Sequence, residues 1–385
     1  MQEGTNLANC LSEYGERIAD NRTFLTRVWN LDNNERPGFM IGYVGPDVVG
    51  GKSSENILFV REGEGTFKDR LLDPEKYLQT QVKVCLDMLA NKGDFVPVIS
   101  PMIGIVAIPS ALGCQIQWWE NDLPAARPLI SDPAEVYTLT KPSLSDGVMG
   151  MALQYTRHWL ERTQGHFPIG PVECQSPLDL AALVLGHNNY LMALYTHPKE
   201  IKYLLQFLTD LQIEFLLAQR QVVREYGAEF VPSYAVPWLP DGFGVNIAHD
   251  ENVMISAEMH DEFALPYLNQ ISEAFNGIFI HSCGRFVHQL PNFAKVYKLR
   301  GLEFGASEAP FKPVMDFFNG KIVLSVRIGL NQDIVFPSLI DFVRQVLQAR
   351  RTNRGLFINC DITNGVIPEG WPVVDLEEIY HLFGF

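Results

Sequence analysis

Short apolar runs that alternate with amphipathic helical stretches constrain this chain more than any other feature. The runs are Phe95–Val98, Phe167–Gly170, Glu229–Ala235, Val253–Ser256, Ile278–His281, Leu302–Gly305, Ile322–Val326 and Leu356–Cys360. Between them lie helices with marked ends. Asp73 and Pro74 supply an N-cap and a first-turn proline, and Gly93 closes that helix. Pro198 opens a second, in which Ile201, Leu204, Leu205, Leu208 and Leu211 follow the helical period until about Gly227. Ser256 caps a third, with Met259, Phe263, Tyr267 and Ile271 on one face before Gly277, and a fourth covers Ser338 to Ala349. Eight strands separated by helices predict an α/β fold, a (β/α)8 TIM-like barrel. An open doubly wound sheet is the competing solution, but no GxGxxG follows the first run and no phosphate-loop motif occurs. Residues 1–93 precede the first expected strand and are expected to cover one end of the barrel as an N-terminal extension. The barrel itself is expected over residues 94–385. No linker or internal repeat divides the chain further.

Composition narrows the functional classes. Of 385 residues, 47% are apolar and 19% charged, which excludes a disordered chain and permits a large core. Thirty Lys and Arg against 45 Asp and Glu give a net charge of −15, the wrong sign for a nucleic-acid partner. The amino-terminal residues mix acids and bases without an apolar core, so no signal peptide is expected. The stretch between Asp94 and Glu120 carries no charge, yet Pro97, Pro101, Gly104, Pro109 and Gly113 interrupt it. A buried strand and a covered loop are expected there, and no membrane span. Six cysteines, at 10, 85, 114, 174, 283 and 360, show no CxxC pair, which suits reduced thiols in a cytoplasmic protein.

The sharpest local signal is IFIHSCGRF. His281 and Cys283 are two apart at the end of an expected strand, so their side chains leave one face. Imidazole and thiolate are preferred zinc ligands. Cys360, in LFINCDI, ends the last run, and in a parallel barrel such strand ends meet at one mouth. The plainer alternative is that each cysteine serves as a small core hydrophobe.

At this point the chain resembles the uroporphyrinogen decarboxylase superfamily, and within it the corrinoid-linked methyltransferases. The resemblance is carried by ISAEMHDEFALPYLNQI with GIFIHSCG, by GPVECQSPLDLAALVLG, by IPSALGCQIQWWENDLP and by GLFINCDI, from about residue 70 onward. It implies a TIM-like barrel. The methyltransferase branch carries a zinc bound by His-x-Cys and a distant Cys, a pattern on which His281, Cys283 and Cys360 fall. The decarboxylase branch carries an Arg-Gln-Ala-Gly-Arg motif near its start and an aspartate at the end of the first strand. Here RVWNLDNNERPGFMIGYVG lacks that motif, and Ser100 and Pro101 stand where the acid would be. Methyl transfer is therefore favoured over porphyrinogen decarboxylation.

Three protein ligands would leave a zinc with one open position, as in catalytic sites. That position could take a thiolate, or polarise the oxygen of a methyl ether. In the methyltransferase branch the methyl group travels on the cobalt of a corrinoid (cobalamin). No Asp-x-His-x-x-Gly cobalamin motif occurs here, so the corrinoid is expected on a separate partner protein. The substrate is expected to be a small O-methyl compound, a methoxylated aromatic above all. Methyl transfer to a small thiol and a decarboxylase-type lyase are the alternatives.

Glu303 and Glu308 flank the end of the sixth run, and Glu173 with Gln175 follows the second; Glu308, Glu303 and Glu173 are candidate acid–base residues. His249, Asp250 and Glu251 read equally as a loop cap, and His288 as the start of a helix. Trp118, Trp119, Trp238, Phe243 and Trp371 sit in expected loops. The first four are candidates to line a pocket for a flat, apolar substrate, although loop aromatics often pack only as local lids.

Overall fold

A computed structural model describes residues 9–42, 65–234, 237–329, 334–360 and 375–385. Its strands are β1 (Gly38–Ile41), β2 (Ile116–Gln117), β3 (Ala125–Ala126), β4 (Val245–Ala248), β5 (Ile278–Ser282), β6 (Leu299–Gly305), β7 (Val323–Arg327) and β8 (Leu356–Cys360). β2 and β3 form a small antiparallel pair. The other six make one sheet in the order β1-β8-β7-β6-β5-β4, with every pairing parallel. β1, β4, β7 and β8 are buried at every position, as expected of a parallel sheet covered on both faces.

Backbone hydrogen bonds carry the ladder from β1 round to β4 through segments too irregular to count as strands. Asp94 N–H donates to Phe39 O (2.7 Å), Ile99 N–H to Pro168 O (3.0 Å) and Gly170 N–H to Ile99 O (2.9 Å). Ile169 N–H then donates to Glu229 O (2.9 Å), Val231 N–H to Ile169 O (2.9 Å) and Asn246 N–H to Pro232 O (2.8 Å). The result is the TIM-like α/β architecture, with helices packed outside the ring.

β5 to β8 lie on the expected runs, and the differences concentrate in the first half. Phe95–Val98, Phe167–Gly170 and Glu229–Ala235 contribute single bridges rather than strands, and Ala235 lies outside the described residues. Prolines at 97, 168 and 232 remove ladder donors there. Val253–Ser256 is not a strand; Glu251–Met254 is a 3-10 turn, and the strand is the earlier run VNIA. β1 belongs to the segment expected as an extension, so part of residues 1–93 enters the sheet itself. The helix Gly15–Trp29 from the same segment packs across the amino-terminal end: Asn21 Nδ2 donates to Phe95 O (2.8 Å), and Trp29 stacks edge-on against Phe279.

The marked helix ends hold. Asp73 accepts from Glu75 N–H (3.0 Å) and Lys76 N–H (3.1 Å) at the start of Pro74–Ala90, and Ser338 caps Leu339–Ala349. The helix Pro198–Glu225 buries Ile201, Leu204, Leu205, Leu208 and Leu211. The stretch capped by Ser256 is two helices, Ala257–Phe263 and Leu265–Phe275, because Pro266 lacks an N–H and its ring crowds the preceding turn. Among the described residues no helix is long and apolar enough to cross a membrane.

Candidate metal centre

The carboxyl ends of β4 to β7 bring Asp250, His281, Cys283, Glu303 and Arg327 close together. His281, near the end of β5, is the register partner of Ala248 on one side and Glu303 on the other. Parallel register partners project to one face, so the His281 ring and the Glu303 carboxylate meet inside the barrel. Glu303 Oε2 bonds His281 Nδ1, and Glu303 Oε1 accepts from Arg327 Nε at 2.6 Å. This leaves His281 Nε2 facing Cys283 Sγ at 3.2 Å and Asp250 Oδ1 at 3.8 Å. Asp250 Oδ1 also accepts from the Cys283 N–H at 2.7 Å.

The electrostatics follow from burial and pairing. Burial alone raises the Glu303 carboxyl, but Arg327 and His281 outweigh it and bring it down to about 2. Burial lowers His281, yet the charges of Glu303 and Cys283 reverse this and hold its pKa well above the usual imidazole value. Burial lowers Arg327, but the charges of Glu303 and Cys283 outweigh it and hold the guanidinium above its ordinary pKa; its Nη2 lies 3.7 Å from Cys283 Sγ. Asp250 is raised by burial, with His281 pulling the other way. Glu173 is pushed up to about 7, by burial first, with His281 lowering and Asp250 raising it.

One imidazole nitrogen, one sulfur and one carboxylate oxygen therefore converge, all within 4.8 Å of one another. Tetrahedral zinc, with bonds of about 2.0–2.3 Å, places its donors about 3.3–3.7 Å apart, close to the spacing seen here. A carboxylate on the far nitrogen of a ligating histidine is the usual outer-sphere support for such a metal. The donor set fits a zinc-like cation.

Two of the three expected ligands, His281 and Cys283, are thus brought together. The third, Cys360, is not in this group, whose third member is Asp250. Asn359 is the register partner of Arg327, so strand alternation turns Cys360 toward the side of Ile358, where it is buried. In sequence Asp250 is a secondary candidate that reads equally as a loop cap, and its place at the carboxyl end of β4 is what sets it apart. Glu303 is an orienting partner of His281. Glu308 is buried beside Gly305 and Gly329, where any added Cβ would strike its carboxyl group, and it accepts from Gly284 N–H at 3.3 Å. Glu173 lines a small pocket with Ile105, Ile108, Gln175, Phe215 and Leu216, and accepts from Gln175 Nε2 at 3.3 Å. His288 bonds Ile255 O (3.1 Å), and the Glu251 side chain pairs with His187 (2.8 Å).

The aromatic expectation needs correction. Trp238 O accepts from Trp29 Nε1 (2.8 Å), and its own Nε1 donates to Glu229 (3.1 Å). Phe243 lies under Arg300 just before β4. Both belong to the amino-terminal end of the barrel, opposite the donor cluster, because their loop leads into β4. Trp118 is half-buried and Trp119 half-exposed beside the β2–β3 pair, in the connection that follows the 94–99 segment. Trp371 lies outside the described residues.

Fold and site together define a parallel-barrel protein with a metal-capable cluster at the carboxyl end of its strands. The chain belongs to the uroporphyrinogen decarboxylase family, whose sequence profile, "Uroporphyrinogen decarboxylase (URO-D)", matches residues 51–312. Among solved structures it is similar to a methyltransferase from Methanosarcina mazei, at 16% identity over 94% of this chain and 96% of that one, with a TM-score of 0.62. That likeness is one of fold. SrfJ from Salmonella typhimurium matches at 13% identity over 61% of this chain and 52% of that one, with a TM-score of 0.31. No curated protein sequence matches the chain.

Proposed function

We propose that this protein is a zinc-dependent methyltransferase that moves a methyl group between a small substrate and the cobalt of a separate corrinoid protein. The observation that carries the reading is the convergence of Asp250, His281 and Cys283 in one group. A family resemblance to corrinoid-linked methyltransferases and a methyltransferase among the structural neighbours support it. The decarboxylase reading that the family name suggests is disfavoured. Ser100 and Pro101 stand where that branch is expected to have an acid, and the Ser100 hydroxyl is committed to Pro171 O.

His281 and Cys283 would hold the metal. Asp250 is the third donor at hand, and Cys360 is the second thiolate that the ligand pattern supplies. A bound zinc would act as a Lewis acid on the substrate heteroatom. Everything else falls to the chain. Glu303 fixes the His281 ring so that Nε2 faces Cys283 and Asp250, where a metal would be held, and Arg327 balances the negative charge gathered around Cys283 and Glu303. Glu173, with its pKa near 7, can hold or release a proton at the working pH. A small O-methyl compound, a methoxylated aromatic above all, is the favoured substrate.

The test joins metal analysis to turnover. Protein purified without added chelator is expected to hold about one zinc per chain and to demethylate a methoxylated aromatic when given reduced corrinoid protein. Metal-free protein that acts on a tetrapyrrole would reject the reading.

A further inference from the structure

Behind the donor cluster lies a buried polar chain with no part in the chemistry above. Asp179, in the first turn of the helix Pro177–Leu185, is 5% exposed. Its Oδ1 accepts two backbone N–H groups, from Asp250 at 2.9 Å and Glu251 at 2.7 Å. Its Oδ2 accepts the hydroxyl of Ser176. Ser176 Oγ is also 2.9 Å from His249 Nδ1, and His249 Nε2 is 3.2 Å from His260 Nε2. Both imidazoles are fully buried.

Donor and acceptor counting gives this chain a direction. The Ser176 hydrogen is spent on Asp179, so Ser176 Oγ receives the hydrogen of His249 Nδ1. With that hydrogen on Nδ1, His249 Nε2 is the acceptor in its contact with His260 Nε2–H. That leaves His260 Nδ1 bare, and it is indeed a buried ring nitrogen with no partner, where a lone pair costs less than an orphaned N–H. Burial, with the neighbouring His249, lowers His260 to about 2 and keeps it neutral. Every hydrogen bond points the same way, His260 to His249 to Ser176 to Asp179, and ends on the carboxylate that grips the Asp250 backbone.

We propose that Asp179 is a positioning residue for the metal centre: held by the His260–His249–Ser176 chain, it fixes the Asp250–Glu251 backbone so that the Asp250 carboxylate faces His281 and Cys283. Asp250 passes the restraint on, since its Oδ1 accepts the Cys283 N–H that sits between the other two donors and the following turn. Ser176 strengthens the clamp through its backbone, donating to Ala248 O at the end of β4. A carboxylate suits this place better than an amide because only acceptors are wanted at both oxygens.

The inference rests on the metal reading for its consequence, but its geometry can be tested without metal. Three variants, Asp179→Asn, Asp179→Ala and Ser176→Ala, are compared with wild type by amide hydrogen exchange over residues 248–254 and by cobalt(II) titration, well below the unfolding temperature. Asp179→Ala is expected to speed exchange at Asp250 and Glu251 at least tenfold and to weaken cobalt binding about 10- to 100-fold. Asp179→Asn should fall between it and wild type. Adding Asp250→Asn to Asp179→Ala should weaken cobalt binding little further, since both act through one carboxylate. Unchanged exchange and unchanged cobalt affinity in Asp179→Ala would overturn the proposal. Wild-type protein that binds no cobalt, yet shows the exchange effect, would instead reject the metal reading alone. If Asp179→Ala does not fold, nitrogen-15 spectra of the wild type decide: hydrogens on His249 Nδ1 and His260 Nε2 support the chain, and the opposite tautomers overturn it.

Discussion

The guanidinium of Arg327 stands 3.7 Å from the sulfur of Cys283 while its Nε holds Glu303 at 2.6 Å. One buried cation thus touches one metal-donor candidate directly and steadies the other, His281, through Glu303. The two residues come from different strand ends, β7 and the turn after β5, and the parallel register brings them level.

Removing that cation should expose how much the cluster depends on it. Arg327→Gln leaves the Glu303 carboxylate buried with one partner fewer, a type of change that costs about 3–5 kcal/mol. Arg327→Lys keeps the charge but not the fork and should cost less. Urea denaturation of metal-free protein measures both; equal stability of wild type and Arg327→Gln would contradict the assignment.

Ligand identity can be read from metal content. Cys283→Ser and His281→Ala should each lose most of the bound zinc with the fold retained, as judged by circular dichroism. Asp250→Asn and Cys360→Ser separate the remaining roles. The variant that removes a permanent ligand loses metal at rest, whereas one that removes an exchangeable donor keeps metal and alters substrate affinity. Zinc assay and equilibrium binding on the same preparations give the answer.

Glu173 sets a pH expectation. With a carboxyl near 7 it is protonated on the acid side and charged on the alkaline side. If it donates the proton that the departing oxygen needs, demethylation falls as pH rises through about 7, and Glu173→Gln flattens that limb while lowering the maximum about 100-fold. A rate profile retaining the limb in Glu173→Gln would assign it to another group.

A second pH dependence concerns stability rather than the donor cluster. Arg162 grips Glu75 through two bonds, of 2.8 and 3.0 Å, and His158 adds a third contact at 3.0 Å. The Arg162 bonds, ahead of the opposing effect of burial, lower the Glu75 carboxyl from its ordinary 4.5 to about 2. The folded state therefore gains from ionised Glu75 above pH 4.5 and loses that gain as pH falls toward 2. With solvent screening the gain is on the order of 1 kcal/mol. Melting curves of wild type and Glu75→Gln should converge across that interval.

The second half of the barrel was readable because its strands are bounded apolar runs of the expected length, Leu356–Cys360 being the clearest. The first half was not, since Pro97, Pro168 and Pro232 reduce three ring positions to single bridges. VNIA was passed over because Asn246 breaks the apolar run. That side chain is buried, and its Nδ2 donates to Phe279 O at 3.0 Å. The same slip hid Asp250, which becomes conspicuous only when β4 ends at Ala248. His281 and Cys283 were legible through their spacing. Arg327 carried no local signal, for its role depends on pairing across β6 and β7. Trp238 and Phe243 were misassigned because a sequence does not say which end of a barrel a loop closes.

The junction of β1 with β8 makes Gly38 through Ile41 wait for partners at Phe357 through Cys360. During synthesis everything between Ile41 and Phe357 must leave the ribosome before that seam can zip, so early-made segments have to be kept from aggregating in the interval. Stalling or truncation ahead of β8 would yield an open half-ring with bare strand edges, a natural substrate for chaperones and proteases.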